Sequence, residues 1–232
     1  MTTTRDGCPV ELYALLPAAG EPEIIHRALP PGATVVDLGA GAGRIAQPLA
    51  ALGHPVTGVD NSPEMLAHLR DVEPVLSDIE SLRLDRRFDA ALLASNLINT
   101  PDPSLRQAFL ATAAHHCDLV VVQWTPPAWF DSLDTAPRRL GSVTISVRDI
   151  VRTGDLVSAT AHYDTPDHHW EHPYTALRLS TSDVEAELAA AGLRLDRWLT
   201  EDQSWFVAMA PNQRSSAAVR PSASGSSDAQ AT

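Results

Sequence analysis

The chain has 232 residues and 44% hydrophobic content, enough to fill the core of one large α/β domain. Its formal net charge is −12, with 17 basic residues against 29 acidic ones, which argues against a nucleic-acid backbone as partner because such binding rests on clustered Lys and Arg. Cys8 and Cys117 lie far apart outside any C-x-x-C spacing, so neither a disulfide framework nor a cysteine zinc site is indicated.

The N-terminus lacks a basic region followed by a long apolar stretch, and no window approaches 18 uninterrupted apolar residues. A cytoplasmic protein with no membrane partner is expected. Tyr13 lies in the amphipathic "VELYALLP", either as a core residue or as a group closing a site from the N-terminal side. From Thr34 onward, strand-like runs at 33–39, 55–61, 74–78, 88–96 and 118–124 alternate with helical patterns at about 42–52, 63–70 and 103–116. That alternation is the mark of a parallel sheet covered on both faces. Ser62 before Pro63, and Asp102 before Pro103, read as helix starts.

After Trp124 the pattern turns to β-branched and polar alternation, with turns at Thr153-Gly154-Asp155 and Thr165-Pro166-Asp167. This predicts an antiparallel insertion of about three strands at roughly 138–180. "TSDVEAELAAAGL" then reads as a capped helix, and "RLDRWLTED" with "SWFVAMA" as a closing hairpin. Residues 211–232 lack the apolar content to bury and are expected to be disordered, leaving one folded domain over 1–210.

The most informative stretch is "TVVDLGAGAGRIAQPLA", residues 34–50. A parallel sheet binds ligands at the carboxyl ends of its strands, where glycines let backbone N–H groups and a helix N-terminus approach. Gly39, Gly41 and Gly43 occupy that place, but the run from Gly41 to Ala46 also fits the dinucleotide fingerprint. The surrounding acids separate the two readings. Asp37, two residues before Gly39, suits an ammonium and would repel a pyrophosphate. Asp60 ends the second strand, where a carboxylate accepts both ribose hydroxyls, and Asp78 ends the third, placed for an exocyclic adenine amine.

In order and spacing, "VVDLGAGAG", "VTGVDNSPEML", "SDIE" and "FDAALLASNLINTP" resemble the class I S-adenosylmethionine-dependent methyltransferases, over roughly residues 10–210. The resemblance implies a seven-stranded, mostly parallel Rossmann-like sheet with a reversed last strand, plus a small antiparallel β insertion after the fifth strand that caps the substrate pocket. It implies S-adenosyl-L-methionine as donor and S-adenosyl-L-homocysteine as product. Asp37, Gly39, Gly41 and Gly43 then face the methionine portion, Asp60 with Asn61 the ribose, Asp78 with Ile79 the adenine, and Ser95 and Asn96 the region between methyl donor and acceptor. Arg44 either pairs with the donor's carboxylate or lies solvated on the first helix.

The acceptor side is read from less specific features. No N-P-P-Y or D-P-P-Y stands at the fourth strand, and no set of acids is placed for a divalent cation, so the expected partner is a small-molecule acceptor without metal. Four of the nine histidines fall in "HYDTPDHHWEH". Strand alternation puts His168, Trp170, His172 and Tyr174 on one face and His169 with Glu171 on the other. His172 or His168 is a candidate base, and Asn99 an acceptor contact or a turn cap. Tyr13, Trp124, Trp129 and Trp170 are candidate walls for an aromatic, heteroaromatic or amine acceptor of secondary metabolism. A homodimer is one assembly compatible with this reading.

Overall fold

The computed structural model describes residues 2–4, 7–133 and 135–211; the disorder expected of 211–232 falls, Pro211 aside, outside the described residues. Strand β1 (Val35–Leu38) lies at the centre of the main sheet, paired in parallel with β2 (Val56–Asp60) and β4 (Ala90–Leu93). Outward from these, β3 (Glu73–Leu76) and β5 (Leu119–Gln123) add in parallel. The sheet closes with β11 (Trp205–Met209), antiparallel to both β5 and β10 (Arg194–Trp198), giving the order β10-β11-β5-β4-β1-β2-β3.

Every residue of β1, β4 and β11 is buried, as two-sided coverage of a parallel sheet requires. Alternate residues serve opposite layers. Val36, Leu38, Leu93 and Val122 pack with Phe109 and Leu110 of α5 (Pro103–His116) and with Val184 and Leu188 of α7 (Thr181–Ala190). Val35, Leu92 and Val121 face Ile25 of α2 (Glu21–Ala28) and Ala46 and Leu49 of α3 (Ala46–Ala51).

Local capping places several ends as expected. The Ser62 hydroxyl accepts from the Met65 N–H at the start of α4 (Pro63–Leu66), Asp102 accepts from Ser104 and Leu105, and Ser180 with Asp183 forms a capping box on α7. Several boundaries differ, three of them beside the carboxyl edge of the sheet. The helix expected from 42 begins at Ala46, because Gly41 and Gly43 hold positive φ of 54° and 87°. The helix expected over 63–70 is α-helical only to Leu66. The strand expected to reach 96 ends at Leu93, since Ser95 and Asn96 both turn left-handed with φ 55° and 61°.

After β5 comes α6 (Pro127–Asp131), then a separate antiparallel sheet of β6 (Arg138–Leu140), β7 (Val143–Thr153), β8 (Leu156–Asp164) and β9 (His169–Leu177). It has four strands rather than about three; β6 has three residues, too few to show alternation, and reaches β7 through Gly141 at φ 61°. The helix α1 (Val10–Leu15) ties the two sheets together. Val10 packs with Cys8, Ala42 and Met65 beside the glycine turn, while fully buried Leu12 packs with Val143, Ile145 and Trp170 of this second sheet, called the cap for the role expected of it. Among the described residues no helix is long and apolar enough to cross a membrane.

Candidate functional site

The glycine turn leaves the carboxyl end of β1 and is held from the end of β2. One Asp60 oxygen accepts from the Gly41 N–H at 2.8 Å, and the other from the Ser62 N–H at 2.9 Å. A Cβ added at Gly41 would meet nothing within 4 Å, so the turn's backbone is open on that side. Gly43 is closed: with φ at 87°, a Cβ there would stand 2.6 Å from Leu69 Cδ2 and 2.8 Å from Gln47 Nε2. Gly43→Ala is accordingly expected to cost about 2 kcal/mol of stability from left-handed strain and crowding, read as a lowered urea midpoint.

Asp37, 3% exposed, lies in β1, two residues before Gly39. Among the described residues no hydrogen bond reaches its carboxylate. Burial pushes the carboxyl up to about 7, the Arg44 guanidinium pulls it back and the Asp60 charge adds to the rise. The Arg44 guanidinium is itself held by the Glu21 carboxylate of α2. A buried acid without a hydrogen-bond donor is the complement of a cationic ligand group, and the open Gly41 backbone beside it leaves room for one.

Asp78 lies beyond β3, where its carboxylate accepts from the Asn61 side-chain amide at 2.8 Å; Ile79 is buried below it. Beyond β4, the exposed Ser95 and Asn96 form the left-handed pair, with the Ser95 N–H donating to Gln123 Oε1 at 2.8 Å. Acids and polar groups thus stand at or just beyond the carboxyl ends of four adjacent strands.

The acceptor-side expectations fare unevenly. Asn99 is a clip and neither a free acceptor contact nor a simple turn cap. It is 2% exposed, and its amide donates to the Thr125 and Leu177 carbonyls at 3.2 and 3.0 Å while its oxygen accepts from the Thr125 N–H at 2.7 Å. Asn99→Ala strands three backbone groups and is expected to lower unfolding stability by about 2–4 kcal/mol, measured by chemical denaturation. Trp124 is a core residue rather than a cleft wall. It is 1% exposed, donates its indole N–H to the Gln203 carbonyl and stacks on Trp198 at 6.1 Å. Trp129 is half-buried on α6, edge-on to Phe130 at 5.4 Å.

His168 lies in the β8–β9 turn, exposed and stacked on Trp170 at 5.3 Å. Trp170 is buried under α1, its indole N–H without a partner among the described residues. His172 is half-buried against the N-terminal segment, Nδ1 3.4 Å from the Gly7 carbonyl and Nε2 4.0 Å from Cys8 Sγ. Tyr13 packs against both the glycine-turn cluster and the cap cluster and hydrogen-bonds Tyr163. Sequence reasoning missed Tyr163, which strand pairing sets directly opposite Trp170, and Cys8, which touches His172 across 164 positions. Tyr163 carried a weak signal as an aromatic inside an alternating run; Cys8 carried none.

Residues 35–118 match the family described as "Methyltransferase domain". Over 109 residues the chain is 32% identical to the ubiquinone biosynthesis O-methyltransferase of Xanthomonas axonopodis pv. citri (strain 306), a match covering 43% of this chain and 45% of that protein. The match therefore spans less than half the length of that curated relative. Among solved structures, the CcbJ methyltransferase of Streptomyces caelestis aligns with TM-score 0.68 and 23% identity, over 87% of this chain and 95% of that one. An S-adenosylmethionine-bound amino pentose methyltransferase of Micromonospora echinaspora aligns with TM-score 0.65 and 20% identity, over 88% and 92%.

Proposed function

We propose that this chain, whose residues 35–118 match the family described as "Methyltransferase domain", is a class I enzyme that transfers a methyl group from S-adenosyl-L-methionine to a nucleophilic nitrogen, oxygen or carbon of a small molecule in secondary metabolism. The observation that carries this reading is the Asp60 clamp on Gly41, which fixes an open backbone turn at the end of the strand that bears the buried Asp37. In this reading Asp37 accepts from the donor's ammonium and Arg44 faces its carboxylate. Asp60 and Asn61 hold the ribose, and Asp78 and Ile79 the adenine. Gly39, Gly41 and Gly43 admit the chain between them, and Ser95 and Asn96 border the methyl.

The donor supplies an already activated methyl on a sulfonium, so the protein's part is alignment and exclusion of water. Tyr13 of α1 and Tyr163 close the acceptor side, with Trp129 as a further wall, while Trp170, 3% exposed, backs them from the core beneath α1. His172 is our candidate to take a proton from an acceptor that carries one, because its ring nitrogens meet only long contacts.

Two acceptor classes are proposed. An aromatic or heteroaromatic phenol, indole or amine is supported by Tyr13, Tyr163 and Trp129, whereas the burial of Trp124 and Trp170 removes both as walls. An amino sugar is favoured by the likeness to the amino pentose methyltransferase over 88% of the chain. Incubation with methyl-labelled donor and separate panels of phenols, indoles and amino sugars, read by mass shift, distinguishes them. Tight S-adenosylhomocysteine binding with no labelled product from any panel would favour a donor-binding role without transfer.

A further inference from the structure

The hairpin of β8 and β9 brings together four metal-ligating side chains that the donor and acceptor sites do not use. Alternation along β9 alone puts His169 and Glu171 on one face, which is two donors and no site. Pairing changes the count. His162 of β8 stands directly across from Glu171, and Asp164 across from His169, so all four share a face of the cap sheet. The geometry points to a zinc site at His162 Nδ1, His169 Nε2 and Glu171 Oε1, with Asp164 behind it and water in the fourth position.

Distances support that assignment. Glu171 Oε1 lies 3.4 Å from His162 Nδ1 and 3.2 Å from His169 Nε2, and one ligand atom from each of the three residues falls within 4.8 Å of the others. Two ligands bound at about 2.0–2.1 Å to a tetrahedral zinc stand about 3.3–3.4 Å apart, so little adjustment is needed around the carboxylate. The other nitrogen of His169, Nδ1, lies 2.6 Å from Asp164 Oδ1. That contact keeps a proton on Nδ1, so a cation that displaces the Nε2 proton now shared with Glu171 would meet the carboxylate–histidine–metal arrangement that orients an imidazole ligand.

His162 supplies the independent observation. It is 6% exposed, and neither ring nitrogen has a hydrogen-bond partner among the described residues, the Glu171 oxygen being near but misaligned. Buried imidazole nitrogens are ordinarily satisfied. A doubly protonated His169, donating from Nδ1 to Asp164 and from Nε2 to Glu171, accounts for those two contacts and leaves His162 orphaned; a cation accounts for all three ligand atoms. Two imidazoles and a carboxylate suit zinc among the common divalent ions.

The site lies on the face of β9 opposite Trp170 and His172, so the metal would brace the strand that carries them without touching the reacting atoms. Its existence does not depend on the methyl-transfer reading. The test is calorimetric titration of the untagged, chelator-stripped full chain with Zn²⁺, with thermal unfolding alongside. One Zn²⁺ per chain is expected, with micromolar or tighter affinity and a raised melting temperature. Glu171→Gln and His162→Ala are each expected to weaken binding at least tenfold, Asp164→Asn about ten- to a hundredfold, and His115→Gln not at all. Glu171→Gln is exposed and nearly isosteric, so it decides alone if His162→Ala fails to fold. Absence of uptake at 100 µM (about a hundredfold above the expected affinity), or wild-type affinity in Glu171→Gln, overturns the assignment.

Discussion

Asp60→Ala is expected to weaken S-adenosylhomocysteine binding by at least about a hundredfold in calorimetry, with the far-UV circular dichroism unchanged. Two effects combine. The carboxylate fixes the Gly41 and Ser62 N–H groups at 2.8 and 2.9 Å, and these hold the glycine turn in the shape that exposes its backbone. In the proposed complex the same group accepts from the ribose. Hydrogen bonds to a charged group contribute about 1.5–3 kcal/mol each, and about 2.7 kcal/mol is a hundredfold in affinity. Asp60→Asn keeps the size and can still accept one of the N–H bonds, so it should fall between the two. Micromolar binding that survives Asp60→Ala would remove the ribose assignment.

Asp37→Asn is expected to stabilise the protein at pH 8 and to impair donor binding there. In the folded chain the carboxyl sits at about 7, chiefly through burial, against an ordinary value of 3.8. The native state therefore holds a proton that the unfolded state has already lost between about pH 4 and 7. Stability from this group is greatest below pH 4 and is lost as pH rises through 7. Some three pH units at 1.36 kcal/mol each make the full difference about 4 kcal/mol as an order of magnitude. The difference in urea unfolding between wild type and Asp37→Asn, measured at pH 5 and pH 8, isolates this residue from the histidines. Binding runs the other way: a ligand ammonium selects the ionised carboxylate, so wild-type affinity for S-adenosylhomocysteine should rise by up to tenfold per pH unit between pH 5.5 and 7. The Asp37→Asn variant should show a flatter profile. A parallel rise in both proteins would detach the effect from Asp37.

The parallel sheet was legible because each of its strands carries its own evidence. Runs such as Val35-Val36 and Leu119 to Val122 are apolar on both faces, and glycines and acids mark their ends. The reversed β11 was legible only through family resemblance, since a hairpin of β10 and β11 does not say which edge it joins. Boundaries failed where a single backbone angle overrides propensity: nothing in "ASN" announces that Ser95 and Asn96 turn left-handed. The acceptor side was least legible because it is made of pairings across long separations. Trp124 follows a strand as a wall residue would, yet Trp198 of the final hairpin claims its face. His162 and Glu171 meet only once the register of β8 on β9 is known.

The Asn99 clip bears on how such a chain can diversify. Its three hydrogen bonds all read main-chain groups: the Thr125 N–H and carbonyl at the exit of β5, and the Leu177 carbonyl at the exit of the cap. A main-chain carbonyl is offered by any amino acid, so the clip makes no demand on which residues the cap contains, only on where its last strand leaves. Substitutions inside the cap can change the surface it presents while its seat on the sheet stays constant, and a cap grafted from another chain would need to meet that one carbonyl position.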